Sequence, residues 1–183
     1  MKMLALALVP LAFAEWALQP NVATEVPDKA IVLVVCTDRM GTAFHIGNGN
    51  YVTASHVVNG TKECRIGVNP ARVLKDDSAK DVAELAGPDI GDRLRVDCGG
   101  FRPNRHYLAT GYVGRINLVR LPLIYSAFGD DPDNGNGQFV GPDIIPGMSG
   151  GPLLNEGLRV SGVVLQRFPA RARSLGETFV CQS

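Results

Sequence analysis

The sequence predicts an all-β protein built as two six-stranded antiparallel β-barrels packed together, and three observations carry that expectation. Short apolar runs recur at close intervals, and 21 glycines and 12 prolines lie spread between them, a composition of turns rather than of long helices. The runs fall into two sets of about six, parted at Gly87-Pro88-Asp89, where the turn chemistry breaks the pattern. A single stretch, the turn after Ser55, reads as helical. Rolling each set into a barrel hides sheet edges that would otherwise pair with other chains.

The first set comprises Ile31–Cys36, Thr42–Ile46, Tyr51–Ala54, Glu63–Val68, Arg72–Lys75 and Val82–Leu85. Gly47-Asn48-Gly49-Asn50 supplies the turn between its second and third members. The second set comprises Arg93–Cys98, His106–Gly114, Asn117–Leu121, Gln138–Val140, Pro152–Leu154, Val160–Leu165 and Thr178–Gln182. The stretch from Gly129 to Gly137, rich in Gly, Asp, Asn and Pro, reads as an exposed loop. At 183 residues the chain is long enough for two such lobes, expected at residues 15–88 and 89–183.

Residues 1–14 stand apart. Lys2 forms a minimal positive region, Met3 to Leu11 an apolar one, and Ala12-Phe13-Ala14 a small-x-small cleavage site, the pattern of a secretory signal peptide cut before Glu15. The competing reading is an uncleaved anchoring segment, although the run falls short of the roughly 20 apolar residues that span a bilayer. The expected location is therefore secreted or periplasmic, with membrane tethering as the alternative and no stable insertion after cleavage.

Eighteen basic and eighteen acidic side chains cancel, so no overall field favours nucleic acid or anionic membranes. Cys36, Cys64, Cys98 and Cys181 all lie beyond the signal segment, where an oxidising compartment permits bridges. Four cysteines allow three connectivities, among which sequence does not choose; pairing within each lobe gives Cys36–Cys64 and Cys98–Cys181. No Cys/His spacing suggests zinc, and neither a metal nor an organic cofactor is expected.

The most informative stretch is Ile145-Pro146-Gly147-Met148-Ser149-Gly150-Gly151-Pro152-Leu153-Leu154. Glycines on both sides of a serine let the backbone turn sharply and leave amide groups accessible, which suits a nucleophile needing an exposed Oγ and nearby oxyanion donors. Alone it also reads as a Gly/Pro turn between strands. Upstream, Thr53-Ala54-Ser55-His56-Val57 places a histidine at the start of a helical turn after a strand, and Asp81-Val82-Ala83-Glu84-Leu85 places a carboxylate at the head of an alternating strand. Asp81, His56 and Ser149 are the residue types that let an oriented imidazole take a proton from a hydroxyl. Among rivals, His45 sits inside a strand, His106 lies in the second lobe beside Arg105 and Tyr107, and Asp76 and Asp77 occupy what reads as a solvated turn. Ser55 and Ser161 lack the glycine frame.

These three segments resemble, in order, the signatures of trypsin-like serine peptidases, whose triad runs His, Asp, Ser. The resemblance runs from about Ile31 to about Leu165 and is closest to the compact bacterial and viral branch, which includes the high-temperature-requirement proteases, in a form without appended domains; Gly91-Asp92-Arg93-Leu94 and Thr110-Gly111-Tyr112-Val113 look like strand motifs of that branch. It implies two barrels with the active site in the cleft between them, catalytic His56, Asp81 and Ser149, and an oxyanion hole from the backbone N–H groups of Gly147 and Ser149. The implied function is a serine endopeptidase acting on protein or peptide substrates through an acyl-enzyme. Met148 stands where zymogen-activated relatives carry an aspartate for a freed N-terminal amine, so no such activation step is expected. Asp143, six residues before Ser149, matches the offset of trypsin's specificity carboxylate but also reads as a turn cap. Val164, Leu165, Gln166 and Arg167 are expected to pair with extended substrate backbone, and Arg167 also reads as attracting acidic residues. Two alternatives stay open: a catalytically silent relative that clamps peptides, and an esterase using the same triad, since Gly147-Met148-Ser149-Gly150-Gly151 also fits G-x-S-x-G.

Overall fold

The computed structural model describes residues 25–131, 136–166 and 169–182, with backbone alone for 127–131 and 166. The proposed signal segment, the centre of the expected 129–137 loop and Arg167 therefore lie outside the described residues.

Apolar runs with alternating burial become strands. β1 (Ile31–Cys36), β2 (Arg39–Gly47), β3 (Asn50–Thr53), β4 (Glu63–Ile66), β5 (Asn69–Asp77) and β6 (Val82–Ala86) close into one barrel in the order β1-β2-β3-β6-β5-β4. β7 (His106–Val113), β8 (Asn117–Asp131), β9 (Asn136–Val140), β10 (Pro152–Asn155), β11 (Val160–Gln166) and β12 (Ala170–Ser174) close into the second, in the order β10-β11-β12-β9-β8-β7. All pairings within both barrels are antiparallel. The expected fold class is the observed one.

Several local expectations are corrected. Arg93–Cys98, including the Gly91-Asp92-Arg93-Leu94 segment, is not a strand; only Val96 bridges, to Val160. Thr178–Gln182 is mostly helix α2 (Phe179–Gln182), following a 3-10 turn at Leu175–Glu177, and the sixth strand of the second barrel is Ala170–Ser174. Residues 129–131 and 136–137 extend the β8–β9 hairpin instead of forming a loop. Asp76 and Asp77 extend β5 beyond Lys75, paired with Ala83 and Val82, so they are not a turn.

Two apolar clusters organise the molecule. The first fills the β1–β6 barrel around Phe44, Tyr51, Val52 and Leu85 and continues into Leu154, Val160, Val163 and Leu175 of the second half, so the barrels share buried surface. The second cluster is aromatic, with Phe101 from the connecting segment packed against Tyr107, Tyr125 and Phe139 at ring separations of 5.1–5.7 Å. Tyr51 is buried and its hydroxyl donates to Pro88 O at 2.6 Å, tying the start of the connector to the first barrel. Burial, then the nearby Asp89 carboxylate, raises the Tyr51 phenol above its ordinary value.

Disulfides join Cys36 to Cys64 and Cys98 to Cys181, the pairing within lobes. Two bridges point to an extracellular or periplasmic, oxidising setting. Among the described residues no helix is long and apolar enough to cross a membrane.

Candidate active site

His56 is delivered by α1 (Ser55–Val58), one turn that ends where Asn59 takes the left-handed conformation at φ 51°. Ser55, Val57 and Val58 are buried, which turns the intervening His56 outward with 39% of its side chain exposed. Its partner comes from the residue before β6. Asp81 Oδ2 lies 2.8 Å and Oδ1 3.1 Å from His56 Nδ1, and Oδ1 also accepts the His56 backbone N–H at 2.8 Å. A carboxylate can only accept, so in the neutral imidazole Nδ1 carries the proton and Nε2 keeps its lone pair. These three contacts from Asp81 fix both the backbone and the ring of His56.

The segment around Ser149 depends on its glycines. Gly147 (φ 100°) and Gly150 (φ 84°) occupy backbone conformations that L side chains rarely adopt. A Cβ on Gly150 would also strike Thr53 Oγ1 and Thr42 O. Met148 is fully buried in the aromatic cluster and packs on Gly111, in place of an ion pair. Its N–H donates to Ile145 O at 3.1 Å and its carbonyl accepts from Gly151 N–H at 2.9 Å. In a trans peptide N–H and C=O point oppositely, so the Ser149 N–H faces away from Gly151. Neither the Gly147 nor the Ser149 N–H has a hydrogen-bond partner among the described residues. Ser149 Oγ donates to Leu165 O at 3.2 Å rather than to His56.

The first barrel holds this segment through Thr42, which is fully buried. Its N–H donates to Ser149 O at 2.8 Å, its hydroxyl donates to Gly147 O at 2.8 Å, and the same hydroxyl accepts from Tyr112 N–H at 2.8 Å. Thr53 Oγ1 donates in turn to Thr42 O at 2.7 Å. Thr42 and Thr53 escaped the sequence reading because a threonine in a strand is ordinary.

The other candidates separate clearly. Asp143 is exposed in the loop after β9, without a hydrogen bond or ion pair among the described residues. Val164 is 1% exposed, its N–H donates to Gly151 O and its carbonyl accepts from Gly150 N–H, which leaves it no unengaged backbone group for an incoming chain. Leu165 keeps a buried side chain and turns its carbonyl to Ser149, and the backbone of Gln166 pairs with Arg171. His45 is fully buried; Asp92 O accepts from Nδ1 at 2.6 Å and Gly49 N–H donates to Nε2 at 3.1 Å, a structural role. His106 lies on the exposed side of the second barrel, with its N–H on Glu156. Asp76 accepts from the Ser55 hydroxyl, and Asp77 from Lys80 N–H. Among the described residues no three His, Cys, Asp or Glu side chains converge as a metal site.

This two-barrel architecture, with His56 and Asp81 on one barrel and Ser149 on the other, is the fold of the trypsin-like serine proteases. The Mycobacterium tuberculosis protease Rv3671c in its inactive form is 25% identical, with 86% of this chain and 88% of that one covered and a TM-score of 0.69. Deg5 is 19% identical over 82% of this chain and 85% of its own, with a TM-score of 0.71. A serine protease of a human pathogenic astrovirus is 21% identical over 82% and 91%, with a TM-score of 0.65. No protein-family model and no curated sequence matches the chain.

Proposed function

We propose that the chain is a serine endopeptidase that cleaves peptide bonds through an acyl-enzyme on Ser149. The reading rests on the His56–Asp81 pair: a carboxylate occupying Nδ1 leaves Nε2 as the site that accepts a proton. Substrate entering the cleft turns the Ser149 hydroxyl from Leu165 O, by rotation about Cα–Cβ, towards Nε2; such contacts commonly tighten only in the complex. Oγ then attacks the scissile carbonyl carbon while its proton passes to Nε2. The oxyanion is received by the N–H groups of Gly147 and Ser149, which have no other partner among the described residues. Collapse expels the amine, which takes the proton from His56. Water repeats the sequence on the ester, releasing the acid and restoring Ser149. Asp81 stays ionised and stabilises the imidazolium.

The buried Met148 supports a nucleophile loop assembled without a freed N-terminal amine. Strand addition of substrate falls on Leu165 and Gln166 rather than on Val164. On this reading residues 15–88 and 89–183 are the two lobes, and residues 1–14 direct export before being cut ahead of Glu15. Mass spectrometry of a casein digest, with Ser149→Ala as control, tests activity, nucleophile and cleavage preference together. New peptide termini present with the wild type and lost with the variant are expected; identical digests from both would overturn the proposal.

A further inference from the structure

Arg173 is a charged residue of the second barrel that the proposed chemistry does not use, and it is 3% exposed. Burying a guanidinium costs several kcal/mol unless its donors are satisfied, so where they go is informative. Nε–H donates to Lys80 O at 2.9 Å, across the gap between barrels, and Nη1 lies 3.9 Å from Glu177 Oε2. Lys80 is held on two further sides: its N–H donates to Asp77 Oδ1 at 3.0 Å and its ammonium to Glu177 O at 2.6 Å. The next residue is Asp81, with φ at 52°.

We propose that Arg173 is a positioning residue for the Asp81 carboxylate. The Lys80 carbonyl belongs to the planar peptide unit that supplies the Asp81 nitrogen, and the φ torsion of Asp81 is defined from that carbonyl carbon. Fixing the oxygen in space fixes the peptide plane about which Asp81 turns. A non-glycine residue in the left-handed region persists only where its surroundings determine it, and Arg173 on the Lys80 carbonyl with Asp77 on the Lys80 N–H supplies that constraint. Without Arg173 the Lys80–Asp81 peptide rocks, the carboxylate leaves the line of Nδ1, and His56 loses its orientation. Glu177 orders the guanidinium, so the turn after β12 becomes part of the support of a group on the other barrel.

The inference rests on the peptidase reading, and a double-mutant cycle separates the two. kcat and KM are measured on one peptide for wild type, Arg173→Met, Asp81→Asn and the double variant, with thermal midpoints as a folding control. Arg173→Met is expected to lower kcat by about 10- to 100-fold, the scale of an ångström-sized misplacement, with KM changed by less than about threefold. In the Asp81→Asn background the same substitution is expected to add nothing. Should Arg173→Met not fold, Arg173→Lys, which keeps the cation and loses the Nε–H, carries the same cycle. If the two losses multiply, Arg173 serves only cohesion and the inference falls while the peptidase reading stands. An inactive wild type removes both.

Discussion

Thr42→Val removes one oxygen and leaves the shape of the side chain, which makes it a direct probe of how the nucleophile segment is held. The hydroxyl serves Gly147 O and Tyr112 N–H together, both at 2.8 Å. Valine strands both groups between the barrels, and an unsatisfied buried backbone group costs about 1–3 kcal/mol, so the variant should lose about 2–6 kcal/mol of unfolding free energy. Typical domains hold about 5–15 kcal/mol, so it is expected to fold when cool and to melt early. Activity adds the sharper test. Released from Thr42, the Gly147 carbonyl reorients, and the N–H donors flanking Met148 lose alignment. Loss of one such donor outright costs about 10²–10³ in turnover, which bounds the expected fall in kcat at about 10- to 10³-fold, with KM little changed. Thr42→Ser restores both hydrogen bonds and is expected to recover most of the kcat. Urea unfolding and steady-state peptide kinetics below the melting range measure the two effects separately. A Thr42→Val protein with wild-type kcat, or a Thr42→Ser protein as impaired as the valine variant, would refute the reasoning.

Other outcomes follow from the same geometry. Replacing Cys36 and Cys64 by serine opens a link between residues 28 apart, for which chain entropy gives about 3–4 kcal/mol of lost stability; a denaturant midpoint unchanged by the replacement would contradict this. The raised Tyr51 phenol has a signed consequence: its contribution is complete below the ordinary tyrosine value and fades as pH climbs through the raised one. Wild type should therefore lose stability above about pH 10, and Tyr51→Phe should flatten that part of the curve while lacking the hydrogen bond to Pro88 at every lower pH. Matching alkaline profiles for the two proteins would sink that account.

Much of this arrangement was legible in the residues because it rests on short-range chemistry. The run Ile31–Cys36 is bounded by its own turn signals and becomes β1 with the same limits, and the helical turn after Ser55 appears where the strand ends. What stayed hidden depended on the partner. Arg93–Cys98 has the apolar content of a strand, but the barrel it would join is already closed, so only Val96 bridges. Ala170–Ser174 carries two arginines, yet Arg173 is turned inward because the Lys80 carbonyl waits for it across the interface and the Glu177 carboxylate lies four residues on. Asp76-Asp77 looks like a turn by composition and is strand because β6 offers it partners. Likewise Gly147 and Gly150 announce a tight turn, whereas nothing local in Thr42 announces that it grips that turn from the other barrel.

The central claim is that the Ser149 hydroxyl becomes a nucleophile because His56, oriented by Asp81, takes its proton. A fluorophosphonate probe that reacts with activated serines measures this directly, with the adduct located by peptide mass spectrometry. The expected result is one adduct, on Ser149, formed quickly by wild type, slowed by at least about 10³-fold in His56→Ala and absent from Ser149→Ala. An unlabelled wild type, or an adduct on Ser149 formed as fast in His56→Ala, would contradict it.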